Sequence, residues 1–286
     1  MMKKWSLAAF VALALLPQSL FAAAYMRAVS WNLRHEGWSG ETNYTGDAQQ
    51  IWNQYGSSST SANGCDVVLL QEVMYTNVPG DIASALTSVS GYTWASAYVG
   101  PIGRTSYKEY YAVVYRTDRV TLLSSTMWSD SGDVFEREPQ IVKIRDKSTS
   151  ADYTFINWHA NFGNGGSDIT NEVKQIDNVF ASVQSGSSTD QDVILIGDTN
   201  VNGTNVAWNE LYGLSPAVTN YVNVATTINS SGSYVSAYDH AMAQASYLTE
   251  YSSSGRDYVA NTSTFYTNLS DHAPIWLKLY SSSDTD

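Results

Sequence analysis

The sequence predicts a β-rich α+β domain in which sheets pack on each other under a cover of helices, and three observations point to it. Short apolar segments rich in β-branched and aromatic residues alternate with loops of Gly, Ser, Asn and Thr, the pattern of strands and turns. Many of these segments are apolar on both faces, as strands buried between two layers must be. One stretch has helical spacing instead: Ile169, Val173, Ile176, Phe180 and Val183 recur at steps of three or four between Gly166 and a stop at Gly186.

In chain order, strands are expected over residues 26–33, 66–73, 110–116, 120–124, 140–145, 153–159, 193–197, 234–243 and 275–280. Two further helices are expected over residues 47–55 and 81–89. The Ser-rich stretches at residues 57–61 and 185–189 are loop length, so nothing in the middle of the chain reads as a linker between domains.

Residues 1–24 read as an export signal, because Lys3 and Lys4 precede an apolar stretch from Leu7 to Leu16 and Ala22-Ala23-Ala24 offers a small-residue cleavage site. That stretch is shorter than the roughly 20 residues of a membrane span, and no later segment reaches that length. A secreted protein, extracellular or periplasmic, is therefore expected, with residues 25–286 as one domain ending in a frayed polar tail. It is expected to be a monomer without an obligate protein partner. The single Cys65 excludes an intrachain disulfide, and its place before Val67-Val68-Leu69-Leu70 predicts a buried, inert thiol. The net charge of −12, two units more negative without Lys3 and Lys4, opposes passive adhesion to nucleic acid or anionic lipid. A phosphate substrate would need local positive charge, which metal ions on acidic side chains can supply.

Residues of catalytic type sit repeatedly at the ends of the expected strands. Asn32 ends the first, Glu72 follows Leu69-Leu70-Gln71, His159 closes Phe155-Ile156-Asn157-Trp158, and Asp198 and Asn200 follow Ile194-Leu195-Ile196-Gly197. Asp239 lies within Tyr238-Asp239-His240, and Asp271-His272 opens the last strand. A single Asn or Asp at a strand end is more often a turn former. Coincidence changes the weight: the chain has four histidines, and two of them fall in these contexts.

The motifs Trp31-Asn32-Leu33, Gln71-Glu72-Val73, Gly197-Asp198-Thr199-Asn200 and Ser270-Asp271-His272-Ala273-Pro274 resemble, in order, the signatures of the endonuclease/exonuclease/phosphatase superfamily. Within it, Ser106-Tyr107-Lys108-Glu109 and Phe135-Glu136-Arg137-Glu138-Pro139 resemble deoxyribonuclease I. The resemblance implies a four-layer α/β sandwich: two mainly antiparallel β-sheets packed face to face, helices on both outer faces, the site at one edge. It implies that Glu72 is the principal metal ligand, that Asn32, Asp198, Asn200 and Asp271 hold metal or the scissile phosphate, and that His159 and His272 move protons. Glu109 would orient His159 and Asp239 would orient His272. Arg34, Tyr107, Arg137 and Asn200 would contact DNA. The chain departs from the pattern at Met74, where the vertebrate enzyme has an arginine used in the minor groove. Thr199 also replaces the usual aromatic residue, and the family's disulfides cannot form.

Attack of water on a phosphodiester needs a stronger nucleophile, neutralised charge on the non-bridging oxygens, and a proton or metal for the departing 3′ oxygen. Hard oxygen ligands suit Mg²⁺ or Mn²⁺, and a structural Ca²⁺ is a further expectation. An imidazole held by a carboxylate keeps one tautomer and can serve as base or acid. The function expected is a secreted endonuclease of low sequence specificity that leaves 5′-phosphate ends. Alternatives are a same-fold phosphodiesterase on phospholipid, like a sphingomyelinase or phosphoinositide phosphatase, and a nuclease subunit like that of cytolethal distending toxin. The loop Asn161-Phe162-Gly163-Asn164-Gly165-Gly166 directly after His159 is placed to shape substrate entry.

Overall fold

The computed structural model describes residues 25–53, 64–162, 167–186 and 191–280. The expected export signal, the polar tail, residues 54–55 of an expected helix, and parts of the Ser-rich loops and of the loop after His159 lie outside them. So does the side chain of Ile169.

The described residues form two six-stranded sheets. The first holds β1 (Tyr25–Glu36), β2 (Val67–Val73), β3 (Trp94–Ile102), β4 (Glu109–Arg116), β11 (Tyr251–Arg256) and β12 (Ile275–Tyr280), in the order β11-β12-β1-β2-β4-β3. The second holds β5 (Val120–Met127), β6 (Gln140–Asp146), β7 (Asp152–Asn157), β8 (Val193–Asp198), β9 (Val218–Asn220) and β10 (Asp239–Gln244), in the order β5-β6-β7-β8-β10-β9. Pairing is antiparallel except between β1 and β2 in one sheet and between β7 and β8 in the other. Helices α1 (Tyr44–Asn53), α2 (Val78–Ser90) and α5 (Thr262–Asn268) cover the first sheet, and α3 (Ser167–Gly186) and α4 (Asn209–Tyr212) cover the second.

Side chains alternate along a strand, so each strand feeds two cores. Met26 and Ala28 of β1, Val67 and Leu69 of β2, Phe155 of β7, and Ile194 and Ile196 of β8 fill the layer between the sheets. Val29, Trp31 and Leu33 face the helices on one side, while Ile156 and Leu195 face α3 on the other. This is the four-layer sandwich that the motifs imply. Trp31, Trp158 and Trp208 are fully buried, and truncating any of them to Ala removes about 3–5 kcal/mol. Cys65 is buried and unpaired by a disulfide, as expected.

Two features differ from the sequence expectation. The strand expected over residues 234–243 begins only at Asp239. The segment before it is irregular and is held at Tyr234 by a bridge to Ile228, whose neighbour Thr227 bridges to His272. Strands β3, β9 and β11 and the short helices α4 and α5 were not expected. The three strands lie at sheet edges, where half-exposed small and polar side chains such as Ser252, Ser253 and Ser254 blur the apolar signal.

Candidate active site

The inter-sheet rows of side chains continue to one rim of the sandwich, and there they turn polar. Asn32 follows Met26 and Ala28 in the row of β1, His159 follows Tyr153 and Phe155 beyond β7, and Asp198 follows Ile194 and Ile196 in β8. Glu109 shares the parity of Val113 in β4, and Asp239 that of Ala241 and Ala243 in β10. Strict alternation would send Glu72 to the helix side with Val68 and Leu70. Its left-handed φ of 55° and a register break between Leu70 and Val73 re-aim the carboxylate into the cleft.

Four of the non-glycine residues with positive φ belong to this rim: Arg34, His35, Glu72 and Asn200. Such conformations cost roughly 1–3 kcal/mol each and collect where a site fixes them. Gly197 is the complement. At φ 142° its chain runs so close to the end of β7 that a Cβ would collide with the Trp158 carbonyl oxygen, which only glycine permits.

Two imidazole–carboxylate pairs face each other across the cleft. The Nδ1 of His159 lies 2.9 and 3.1 Å from the two oxygens of fully buried Glu109, and the Nδ1 of His272 lies 2.8 Å from Asp239. Each pair joins one sheet to the other. Asp198 sits between them, its Oδ2 3.7 Å from Nε2 of His159 and 3.5 Å from Nε2 of His272. Asn32 donates to Asp198 at 2.9 Å and to Glu72 at 3.0 Å. Asn200 donates its backbone N–H to Asp198 at 2.9 Å, and Asp271 lines the cleft.

The surroundings give the two pairs different electrostatics. Burial first, then the nearby Arg137 guanidinium, pushes His159 down to about 4, while burial lifts Glu109 to about 7 against the pull of Arg137. With its Nδ1 proton given to Glu109, a neutral His159 leaves Nε2 as its accepting nitrogen. Burial also pulls His272 down, but Asp239 and Asp198 together outweigh it and hold the ring well above its ordinary range. Burial raises Asp198 despite its two histidine neighbours.

The donor set fits a hard divalent cation. Glu72, Asp198 and Asp271 offer carboxylate oxygens and Asn32 and Asn200 offer amides. A cation would also offset the burial that lifts Asp198. Ligand atoms of Asp198, Asp239 and His272 lie within 4.8 Å of one another, but Oδ2 of Asp239 is committed to His272 and to Thr226 at 2.5 Å. Behind the rim, Gln71 and Asn157 bond to each other at 2.6 Å, and Asn157 bonds to Gln140 at 2.8 Å, tying the sheets together beneath Glu72 and His159.

The structure brings together every expected catalytic and metal-holding residue, but two of the expected DNA contacts stand differently. Arg34 turns its guanidinium to Glu41 at 2.9 Å and to the Tyr266 carbonyl, away from the cleft. Arg137 lines the cleft but is almost wholly buried and donates to the carbonyls of His159 and Ala160 at 3.1 and 2.8 Å, so it also braces the histidine. Tyr107 lines the cleft as expected. Sequence reading passed over His35, whose backbone N–H and ring Nε2 lie 3.0 and 3.3 Å from the same Glu72 oxygen. Its signal was present, since it is one of four histidines and stands three residues after Asn32.

The sandwich is that of the endonuclease/exonuclease/phosphatase proteins. A solved structure of that description from Bacteroides vulgatus aligns with a TM-score of 0.66 at 16% identity, covering 90% of this chain and 98% of that one. In sequence the chain is similar to deoxyribonuclease I: it is 31% identical over 191 residues to deoxyribonuclease-1 of Gallus gallus, covering 63% of this chain and 62% of that protein. A deoxyribonuclease of Thioalkalivibrio sp. (strain K90mix) is 26% identical over 169 residues, 59% of this chain and 43% of that protein. The chain thus spans between about two fifths and three fifths of these curated relatives' lengths. No protein-family model matches it.

Proposed function

We propose that the chain is a divalent-metal-dependent phosphodiesterase that hydrolyses DNA internally and leaves 5′-phosphate ends. The observation that carries this reading is the pair of carboxylate-held imidazoles facing one another across Asp198, with Glu72 alongside. Two proton-moving groups and one cation-ligating cluster are what in-line displacement at a phosphodiester needs. A Mg²⁺ or Mn²⁺ ion held by Glu72, Asp198 and Asp271 would neutralise the charge that builds on the non-bridging oxygens.

The chain's own residues do the rest. One imidazole takes a proton from the attacking water and the other gives one to the departing 3′ oxygen. Glu109 and Asp239 fix the rings at Nδ1, so that Nε2 of each faces the scissile bond. Asn32 and Asn200 fix Asp198. The relatives named deoxyribonuclease support DNA as substrate. Export is part of the proposal and rests on the charged and apolar pattern of residues 3–16. Among the described residues no helix is long and apolar enough to cross a membrane.

The test is supercoiled plasmid incubated with the protein and Mg²⁺ or Mn²⁺, with and without EDTA, beside the His159→Ala variant. Nicked and then linear DNA, lost with EDTA and with the substitution, and with ends that a ligase rejoins, supports the proposal. Plasmid and single-stranded DNA that both stay intact overturn it and move attention to phospholipid and phosphomonoester substrates.

A further inference from the structure

We propose that His35 and Trp38 form a stacking platform for an unpaired nucleobase beside the phosphate site, so that the preferred substrate is a single-stranded polynucleotide. The inference rests on the nuclease reading above and adds its substrate class. After Asn32 the chain takes two consecutive left-handed residues, Arg34 at φ 48° and His35 at φ 62°. That turn lays the His35 ring against Glu72, with Nε2 3.3 Å from the carboxylate. Trp38 stacks on the His35 ring with centroids 4.5 Å apart and planes 10° from parallel. Tyr107 closes the group edge-on, 5.7 Å from His35 and 6.0 Å from Trp38.

The group is no part of a core. Trp31, Trp158 and Trp208 are fully buried, whereas Trp38 is 39% exposed. His35 and Tyr107 line a cleft of about 540 Å³ that also holds both catalytic histidines. Across that cleft stand Phe162 and Val235, 65% and 54% exposed. Rings and apolar side chains on the walls of an otherwise polar cleft, one ring away from a carboxylate proposed to hold the metal at the phosphate, match a base and its own phosphate.

Charge excludes the other way of holding nucleic acid. Arg34 and Arg137 are engaged within the protein, Lys108 donates to the Gly103 carbonyl, and the chain is strongly acidic. A grip on a closed duplex by phosphate contacts is therefore poorly supplied. Base–aromatic stacking needs no such charge and tolerates any sequence. It reaches a base only when that base is unpaired or turned out of the helix.

The experiment measures kcat/KM on a single-stranded oligonucleotide, on the same sequence as a duplex, and on a single strand with abasic positions flanking the cut. It uses the wild type, Trp38→Ala and Trp38→Phe. The wild type should favour the single strand. Trp38→Ala should lower kcat/KM, through KM, by roughly 5- to 100-fold more on the base-bearing strand than on the abasic one, with Trp38→Phe restoring most of the loss. Equal losses on the two strands, or a wild type that prefers duplex, overturns the platform. Binding of a labelled single strand by the His159→Ala protein, followed by anisotropy, separates the two proposals. If no strand is cut, the nuclease reading fails, while binding that weakens with Trp38→Ala supports the platform and binding indifferent to it overturns it.

Discussion

Two sets of buried carboxyl groups, one at the catalytic rim and one where the end of β1 meets α1, are treated in opposite ways. At the rim, beyond Asn32, Glu109 and Asp239 each meet an imidazole at hydrogen-bond distance, and Arg137 stands 3.8 Å from Glu109. At the last residue of β1, Glu36 lies against α1, wholly buried near the equally buried Asp47. One oxygen of Glu36 accepts from Asn43 N–H at 3.1 Å. The other, and both oxygens of Asp47, meet no hydrogen-bond donor among the described residues. Burial pushes Glu36 up to about 7, and burial together with Glu36 pushes Asp47 well above the usual carboxylate range. Burial alone therefore does not mark a site. A buried carboxylate aimed at a partner directs chemistry, whereas one without a partner weighs on stability.

That contrast can be broken by substitution. The largest effects belong to the imidazoles: His159→Ala or His272→Ala should each slow phosphodiester cleavage by roughly 10²- to 10⁴-fold while the protein stays folded. Near-normal rates in steady-state assays would remove either ring from the reaction. Glu109→Gln keeps the shape but cannot hold the Nδ1 proton in the same way. Its expected cost is roughly 10- to 100-fold in rate, and a rate equal to wild type would make Glu109 a packing residue only.

Glu36→Gln should act on the other side of the comparison, raising stability and leaving the rate alone. A carboxyl whose value is raised from 4.5 to about 7 on folding binds its proton more tightly in the native state. Its favourable share of stability is complete below pH 4.5 and is lost as pH climbs to 7. The variant should therefore match the wild type at acid pH and exceed it by about 3 kcal/mol at pH 8 in denaturant melts. A destabilised Glu36→Gln protein at pH 8 would show that the ionised carboxylate has a partner that holds it.

The catalytic rim was legible in the sequence because each residue there ends an apolar run, and parity along a strand carries such residues to the same edge. Asn32, His159 and Asp198 are of this kind. Glu72 was legible as a residue but not as a direction, since strict alternation points it the wrong way and only the left-handed turn corrects it. Arg34 and Arg137 could be recognised by motif, yet sequence cannot show Glu41 or the carbonyls of His159 and Ala160 claiming their guanidinium groups. The His35–Trp38 stack was invisible for a related reason, because it depends on two consecutive positive φ angles, at Arg34 and His35, that the sequence does not announce. Edge strands β3 and β11 escaped because half their side chains face water.

The account turns on carboxylates at this rim holding a divalent cation against the scissile phosphate, and one measurement reaches that directly. Plasmid cleavage is followed as a function of Mg²⁺ or Mn²⁺ concentration for the wild type and Glu72→Gln, with an EDTA control. The prediction is no cleavage in EDTA and an activation midpoint shifted roughly 10- to 100-fold higher in Glu72→Gln. Superimposable metal curves for the two proteins, or nicking that persists in EDTA, would contradict it.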